Sequence, residues 1–175
     1  MAEAPVEVVA YDPRWPVEFE RESELIAKAL APWLVGPVAH IGSTAVPGLS
    51  AKPVIDIMAP VESLSAAWPA IAAAQQVGYV HFPYKPELMH WFCKPSPALR
   101  THHLHLVPTD TALWRERLAF RNALRADPDL RAEYQALKLR LANQHGRDRE
   151  AYTEAKSPFV AKVLHALQQG GKSAA

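Results

Sequence analysis

The chain has 175 residues with 19 basic and 18 acidic side chains, a formal net charge of +1, so no global field draws it to DNA, RNA or an anionic membrane and any phosphate binding is local. That length suits one domain with one core, expected over residues 1–167. The single cysteine, Cys93, excludes an intrachain disulfide and reads as a small core hydrophobe, and without a signal-type apolar region or a run of membrane length the expected location is cytoplasmic, with no membrane partner. Asp12-Pro13 forms a turn, and Phe19, Glu22, Ile26, Ala29, Leu30 and Trp33 mark a helix to about Pro32. Val35–Ile41 and Pro53–Ala59 read as strands; the second is almost wholly apolar, which implies burial on both faces and helices on at least one of them. Ser63 is placed to cap a helix carrying Leu64, Trp68 and Ile71 that ends at Gly78. Three further strands are predicted at Tyr79–Phe82, Met89–Lys94 and His102–Val107, after which the pattern turns helical: 109–126, 128–145, and shorter pieces from Asp148 and from Ser157-Pro158. Leu113, Trp114, Leu118 and Leu124 read as core, and Gln168 to Ala175 as a disordered tail.

The chemistry is concentrated between His40 and Met58. An apolar run ends in Gly42-Ser43-Thr44, a small-residue loop follows, and the next apolar run carries one carboxylate, Asp56. An ionised carboxylate inside a buried strand costs several kcal/mol unless it is neutralised, hydrogen-bonded or placed at a cleft. Two readings follow for Asp56, a structural cap or ion pair, and a site carboxylate facing the backbone N–H groups that a Gly-Ser turn offers to phosphate oxygens. Phosphate donors opposite a metal-binding carboxylate describe a nucleotide site. Lys52, between loop and strand, either reaches a phosphate held at Gly42-Ser43 or is a solvated surface lysine. His103 and His105 alternate onto one strand face with spacing for shared coordination, and equally for hydrogen bonding across a sheet; His102 points the other way. His40, His81 and His90 are further ligand candidates that spacing does not separate. No Gly-x-x-x-x-Gly-Lys-Ser/Thr segment is present, which excludes a P-loop enzyme.

The Ile-Gly-Ser and Asp-Ile segments resemble the signature of the polymerase-beta type of nucleotidyltransferase. More narrowly, His40–Leu49 and Lys52–Ile57 are similar to the GrpB family within that superfamily, as are Tyr11–Pro16, Arg100–Val107 and Tyr152–Phe159. The resemblance implies an α+β fold, a mixed sheet flanked by helices with a C-terminal helical extension. It implies a site in which Gly42, Ser43, Thr44, Lys52 and Lys156 bind the nucleotide phosphates, with Asp56 as the catalytic carboxylate. Asp56, His103 and His105 would hold a divalent cation, magnesium or manganese. Arg121, Lys138, Tyr152 and Lys156 match polar positions of the family pattern and together suggest a basic cleft wall, although Asn122 stands where relatives carry an acid that would pair with Arg121.

In one respect the chain departs from the wider superfamily. Active members generally carry a second carboxylate two residues after the first, on the same strand face, and here that position is Met58, a poor ligand for a hard cation. The implied activity is metal-dependent transfer of a nucleotidyl group from a nucleoside triphosphate to an acceptor. The alternative is a noncatalytic nucleotide-binding or regulatory module, related to domains fused to dephospho-CoA kinase. Either way the expected partner is a nucleotide or another phosphorylated small molecule rather than an extended nucleic acid.

Overall fold

A computed structural model describes residues 6–146 and 148–172. The fold is α+β, built on a five-stranded mixed sheet in the order β1-β2-β5-β4-β3. The strands are β1 (Ala39–Ile41), β2 (Ile55–Val61), β3 (Val80–Phe82), β4 (His90–Pro95) and β5 (Arg100–Pro108). All neighbours pair antiparallel except β2 and β5, the parallel pair at the centre. Six helices surround the sheet: α1 (Trp15–Ala29), α2 (Ala70–Gln76), α3 (Ala112–Ala126), α4 (Pro128–His145), α5 (Arg149–Glu154) and α6 (Ser157–Lys172).

Burial of β2 on both faces follows from what covers each. Ile55, Ile57, Ala59 and Val61 pack with Leu104, Leu106 and Phe92 beneath Ile26 of α1, Leu30 just after it, and Ala70 and Ala74 of α2. On the opposite face Met58, Ile41, Trp91, Cys93 and Val107 meet Leu113, Trp114 and Leu118 of α3. The apolar stripe of α3 therefore lies on the face to which alternation also assigns Asp56, His103 and His105. A third cluster, Val46, Leu49, Leu124 and Tyr134 with Phe120, Leu137 and Phe159, fastens the loop after β1 to α3, α4 and α6.

The helical half starts where its caps lie. Thr111 accepts from Trp114 N at 3.3 Å to open α3. Asp127 accepts from the N–H groups of Asp129 and Leu130 to open α4, whose first residue is Pro128, and Asp148 accepts from Ala151 N to open α5.

Proline accounts for most departures from the expected elements. Ser63 does accept from Ala66 N at 3.1 Å, but residues 64–69 form turns and α2 begins only after Pro69, which lacks an N–H and disfavours helix in the residue before it. Trp68 is consequently 64% exposed instead of core-facing. Pro37 shortens the first strand to Ala39–Ile41, and Pro32 confines the end of the first helix to a single 3-10 turn, Ala31–Trp33. The last helix, α6, continues through Lys172 into the stretch expected as a tail, with His165 and Gln169 hydrogen-bonded one turn apart, because extending an existing helix adds a bond per residue fixed. Residues 173–175 lie outside those described.

Candidate functional site

Sheet register builds the centre of the site. Asp56 pairs with His103 across the parallel β2/β5 ladder, and Met58 with His105, so neighbouring rows of one face carry the carboxylate and both imidazoles. His103 Nδ1 donates to Asp56 Oδ1 at 2.8 Å, and His105 Nε2 lies 3.6 Å from the same oxygen. His105 Nδ1 sits 3.2 Å from the Met89 sulfur. Neither histidine's Nε2 has a hydrogen-bond partner among the described residues, although both atoms are buried. The Asp56 side chain is 26% exposed and that of His105 only 5%.

Burial opposes ionisation of Asp56, but the hydrogen bond from His103 and the nearby His105 imidazole outweigh it and hold the carboxyl well below the usual carboxylate range. Burial also pushes His105 down to about 4, against the pull of Asp56. The centre is therefore an anionic carboxylate with a neutral imidazole beside it at physiological pH. Asp56, His103 and His105 each offer one ligand atom, and these atoms lie within 4.8 Å of one another. Two imidazole nitrogens and a carboxylate oxygen, with buried nitrogens lacking other partners, form a donor set that fits a divalent cation.

The Gly-Ser turn closes directly on this centre. Gly42 has φ +71°, and a Cβ placed there would stand 2.5 Å from Asp56 Oδ2, so only glycine lets the loop lie against the carboxylate. Ser43–Ala45 form a 3-10 turn, whose first N–H groups have no partner within the turn itself. Ser43 lies beside the Tyr134 hydroxyl of α4. The Thr44 hydroxyl donates to Val54 O at 3.1 Å and accepts from His40 Nε2 at 3.0 Å, with the residue buried, so the side chain holds the loop.

Lys156 and Arg117, from separate segments, approach this centre, and Lys138 neighbours Lys156. Burial and neighbouring Lys52 push Lys156 down to about 8, while Asp56 pulls it up. Lys156 Nζ lies 4.3 Å from the centre of the Tyr152 ring. Burial and Lys156 push Lys138 down to about 7. The Lys138 ammonium donates to Ser50 O and stands over the Tyr134 ring. Arg117 of α3, lowered by burial, lies within electrostatic reach of Asp56, His105 and Lys156.

Arg117 was not among the expected site residues. Its signal in the sequence is a charge set within the apolar helical stripe of Leu113, Trp114 and Leu118, at a spacing that ordinarily belongs to core.

Arg121 and the remaining histidines take other places. Arg121 Nη1 donates to His40 O at 2.8 Å and Arg125 Nε to Ala45 O at 2.8 Å, bracing the loop from outside. Asn122 supplies a partner after all, its Oδ1 accepting from Arg121 at 3.0 and 2.9 Å. Arg121 and Arg125 line a separate groove of about 570 Å³ with Phe19, His40 and Trp114, which keeps Arg121 out of the cleft wall. His40 stacks on Phe19 at 4.6 Å and is lowered to about 4 by burial, which makes it a neutral core histidine. His90 bonds Leu64 O at 2.8 Å and packs beside His81, on the sheet face away from Asp56. His102, as expected, points away from the centre, toward Glu22 and Lys94.

A family model described as GrpB protein matches residues 5–166. The crystal structure of conserved protein GrpB from Enterococcus faecalis matches with a TM-score of 0.82 at 32% identity, covering 91% of this chain and 96% of that one. A UPF0157 protein of Pseudomonas aeruginosa is 39% identical over 163 residues, 91% of this chain and 66% of that protein. A dephospho-CoA kinase of Mycolicibacterium paratuberculosis is 32% identical over 191 residues, which cover 91% of this chain and 45% of the kinase. The chain thus spans just under two thirds of the Pseudomonas relative and under half of the mycobacterial one. No helix among the described residues is long and apolar enough to cross a membrane.

Proposed function

The chain belongs to the GrpB family, and from that premise we propose that the Asp56 cleft serves a metal-dependent nucleotidyltransferase of the polymerase-beta type, acting from a nucleoside triphosphate on a small acceptor. The observation that carries this reading is the packing of Gly42 against the Asp56 carboxylate, with His103 hydrogen-bonded to that carboxylate and Lys156 close to it.

The residues divide the work by their chemistry. The Gly42-Ser43-Thr44 backbone receives phosphate oxygens, and the glycine keeps that backbone close to the carboxylate. Asp56, His103 and His105 would hold the cation, magnesium or manganese, whose chemistry is to polarise a phosphoryl oxygen. Lys52 and Lys156 neutralise the charge that gathers on departing pyrophosphate when an acceptor oxygen bonds to the α-phosphorus and the bond from that phosphorus to its bridging oxygen breaks. Burial of the imidazoles and of Lys156 keeps water from competing for these contacts.

A second reading is favoured by Met58. It occupies the position of a second carboxylate and is fully buried among Ile41, Trp91 and Val107, so it presents no oxygen to a cation. A noncatalytic nucleotide-binding module accounts for that, and the likeness to a dephospho-CoA kinase suits an accessory part.

Incubation with each labelled nucleoside triphosphate and manganese, read as pyrophosphate release, separates the two. Release that is lost in Asp56→Asn supports the transferase. Manganese-dependent nucleotide binding without release assigns the cleft to the accessory role.

A further inference from the structure

We propose that the far end of the sheet is the acceptor subsite, a shelf of exposed rings, Phe82 and Tyr84 on a floor of Trp91, that takes a hydroxyl-bearing compound with a planar aromatic or heteroaromatic ring. The inference rests on the nucleotidyl-transfer reading of the Asp56 cleft and names the class of acceptor that enters it.

Two rows of paired residues carry one face of the sheet from the centre to its edge. In the first, Asp56 pairs with His103, His103 with Cys93, and Cys93 with Val80; in the second, Met58 pairs with His105, His105 with Trp91, and Trp91 with Phe82. Directly paired residues share a face, so Val80 and Phe82 of β3 look out on the side of the carboxylate and the imidazoles. His81 turns the other way and packs against Phe92 and His90. Along this route each ring neighbours the next. The Trp91 ring centre lies 4.9 Å from that of His103, and Phe82 and Tyr84 each stand 6.0 Å from Trp91, at 81° and 65° to its plane.

These rings differ in where their surface goes. Trp91 is 6% exposed, with the Arg100 guanidinium 5.3 Å from its ring centre, and so forms a fixed floor. Phe82 is 44% and Tyr84 38% exposed, and Val80 and Leu88 on the same short stretch are also open to solvent. A single exposed apolar side chain is ordinary. A run of them continuous with a polar cleft has the make-up of a ligand surface, apolar area for the body of the ligand and a few polar groups for its reacting end. The stretch is also stiffened: Pro83 and Pro86 flank Tyr84 and Lys85, and Lys85 O accepts from Leu88 N and Met89 N at 2.9 and 3.2 Å. Lys85 takes φ +48°, a backbone cost for which a plain connecting loop has no use.

The geometry of the reaction selects the acceptor for this shelf. The Gly42-Ser43 turn reaches Asp56 from the β1 side, and the shelf lies on the opposite side, past β5. In nucleotidyl transfer the attacking and leaving oxygens stand roughly in line: the acceptor's hydroxyl oxygen bonds to the α-phosphorus, its proton passes to water, and pyrophosphate leaves with the electron pair of the broken bond. With pyrophosphate held at the turn, the acceptor approaches from the β5 side. From β5 to β3 is two strand spacings, roughly 10 Å, the length of a nucleoside-sized molecule.

Saturation-transfer NMR and calorimetry on the intact chain, with manganese and the non-reacting α,β-methylene analogue of ATP bound, test the shelf. Adenosine serves as the ring-bearing probe and ribose as its ring-free control. The expected result is adenosine binding at least tenfold tighter than ribose to the loaded protein. Phe82→Ser and Tyr84→Ser should each weaken adenosine about fivefold or more, with Tyr84→Phe close to wild type and the affinity for the analogue changed less than twofold. Both side chains are exposed, and a thermal melt of each variant confirms that it is folded. Adenosine displaced by the analogue, or an analogue weakened in step with adenosine, assigns the rings to the nucleotide's own base and overturns the proposal. Unchanged adenosine binding in both serine variants overturns it too, as does a wild-type dimer that Phe82→Ser dissociates in light scattering, since the rings then belong to a contact between copies. An analogue that does not bind with manganese removes the reaction proposed above, and the acceptor role with it. An analogue that binds while adenosine does not overturns the shelf alone.

Discussion

Two glycines with similar positive φ separate conformational strain from site chemistry. Gly42 at φ +71° and Gly48 at φ +79° both sit in the left-handed region, but only the first meets a neighbour, Asp56, while nothing lies within 4 Å of a Cβ at Gly48. Gly48→Ala should therefore cost about 1 kcal/mol, the backbone term alone. Gly42→Ala adds the clash with the carboxylate and should cost about 2–4 kcal/mol, with loss of any ligand bound against that turn. Urea denaturation of the pair checks the difference; equal losses would mean that the loop moves freely off Asp56. The histidines are tested at the same scale. His103→Ala and His105→Ala should each lower manganese affinity at least tenfold by calorimetry, because each removes one of three nitrogen or oxygen donors that lie within 4.8 Å. If the melting temperature falls while manganese affinity holds, the two imidazoles are structural hydrogen-bonding groups.

At the scale of elements, capping decides how firmly the basic wall is mounted. Asp127 receives two N–H groups at 2.9 and 3.0 Å at the start of α4, the helix that carries Tyr134 and Lys138. Asp127→Ala should cost about 1 kcal/mol of global stability. Lys138 lies three turns beyond that end, so phosphate affinity should change less than twofold, as paired chemical denaturation and binding measurements would show. The four C-terminal helices were legible because Pro128, Asp148 and Ser157-Pro158 mark starts in residue chemistry that needs no distant partner, although the first of the four opens at the Thr111 cap and not at the expected Thr109. The stretch from Ser63 to Gly78 was not. Its apolar spacing suits a helix throughout, but Pro69 removes a donor in the middle, and local periodicity lost to that constraint.

For the whole molecule, the site joins the two halves of the fold: the sheet supplies the carboxylate and imidazoles, and the helical half supplies cations that carry a stability cost. In the unfolded chain a lysine titrates near 10.4, whereas Lys138 does so at about 7 and Lys156 at about 8 in the folded one. Between those values the unfolded state binds more protons, so stability rises with pH from about 7 toward 9. The slope should reach at most about 1.4 kcal/mol per pH unit for each group. Lys138→Met should flatten that slope and raise the melting temperature at pH 7, since a buried unpaired charge gives way to an apolar side chain. A wild-type melting temperature that falls steadily between pH 7 and 9 would contradict this linkage.

What the sequence determined by itself is whatever depends on neighbours along the chain. The α+β class, the alternation that sets His103 and His105 on one face and His102 on the other, and the singular carboxylate in β2 all follow from short-range periodicity and residue type. The small-residue Gly-Ser turn before β2 was likewise legible. Tertiary structure decided which of these groups meet. The parallel pairing of β2 with β5 aligns Asp56 with His103, a register that no local pattern encodes, because it depends on strands separated by dozens of residues. It also withdrew Thr44 and His40 into a structural hydrogen bond, turned Arg121 outward onto a loop carbonyl, and brought the unexpected Arg117 inward. The reason is physical: periodicity specifies a side chain's face on its own element, whereas the burial and fields that set its charge and partners arise only when separate elements pack together.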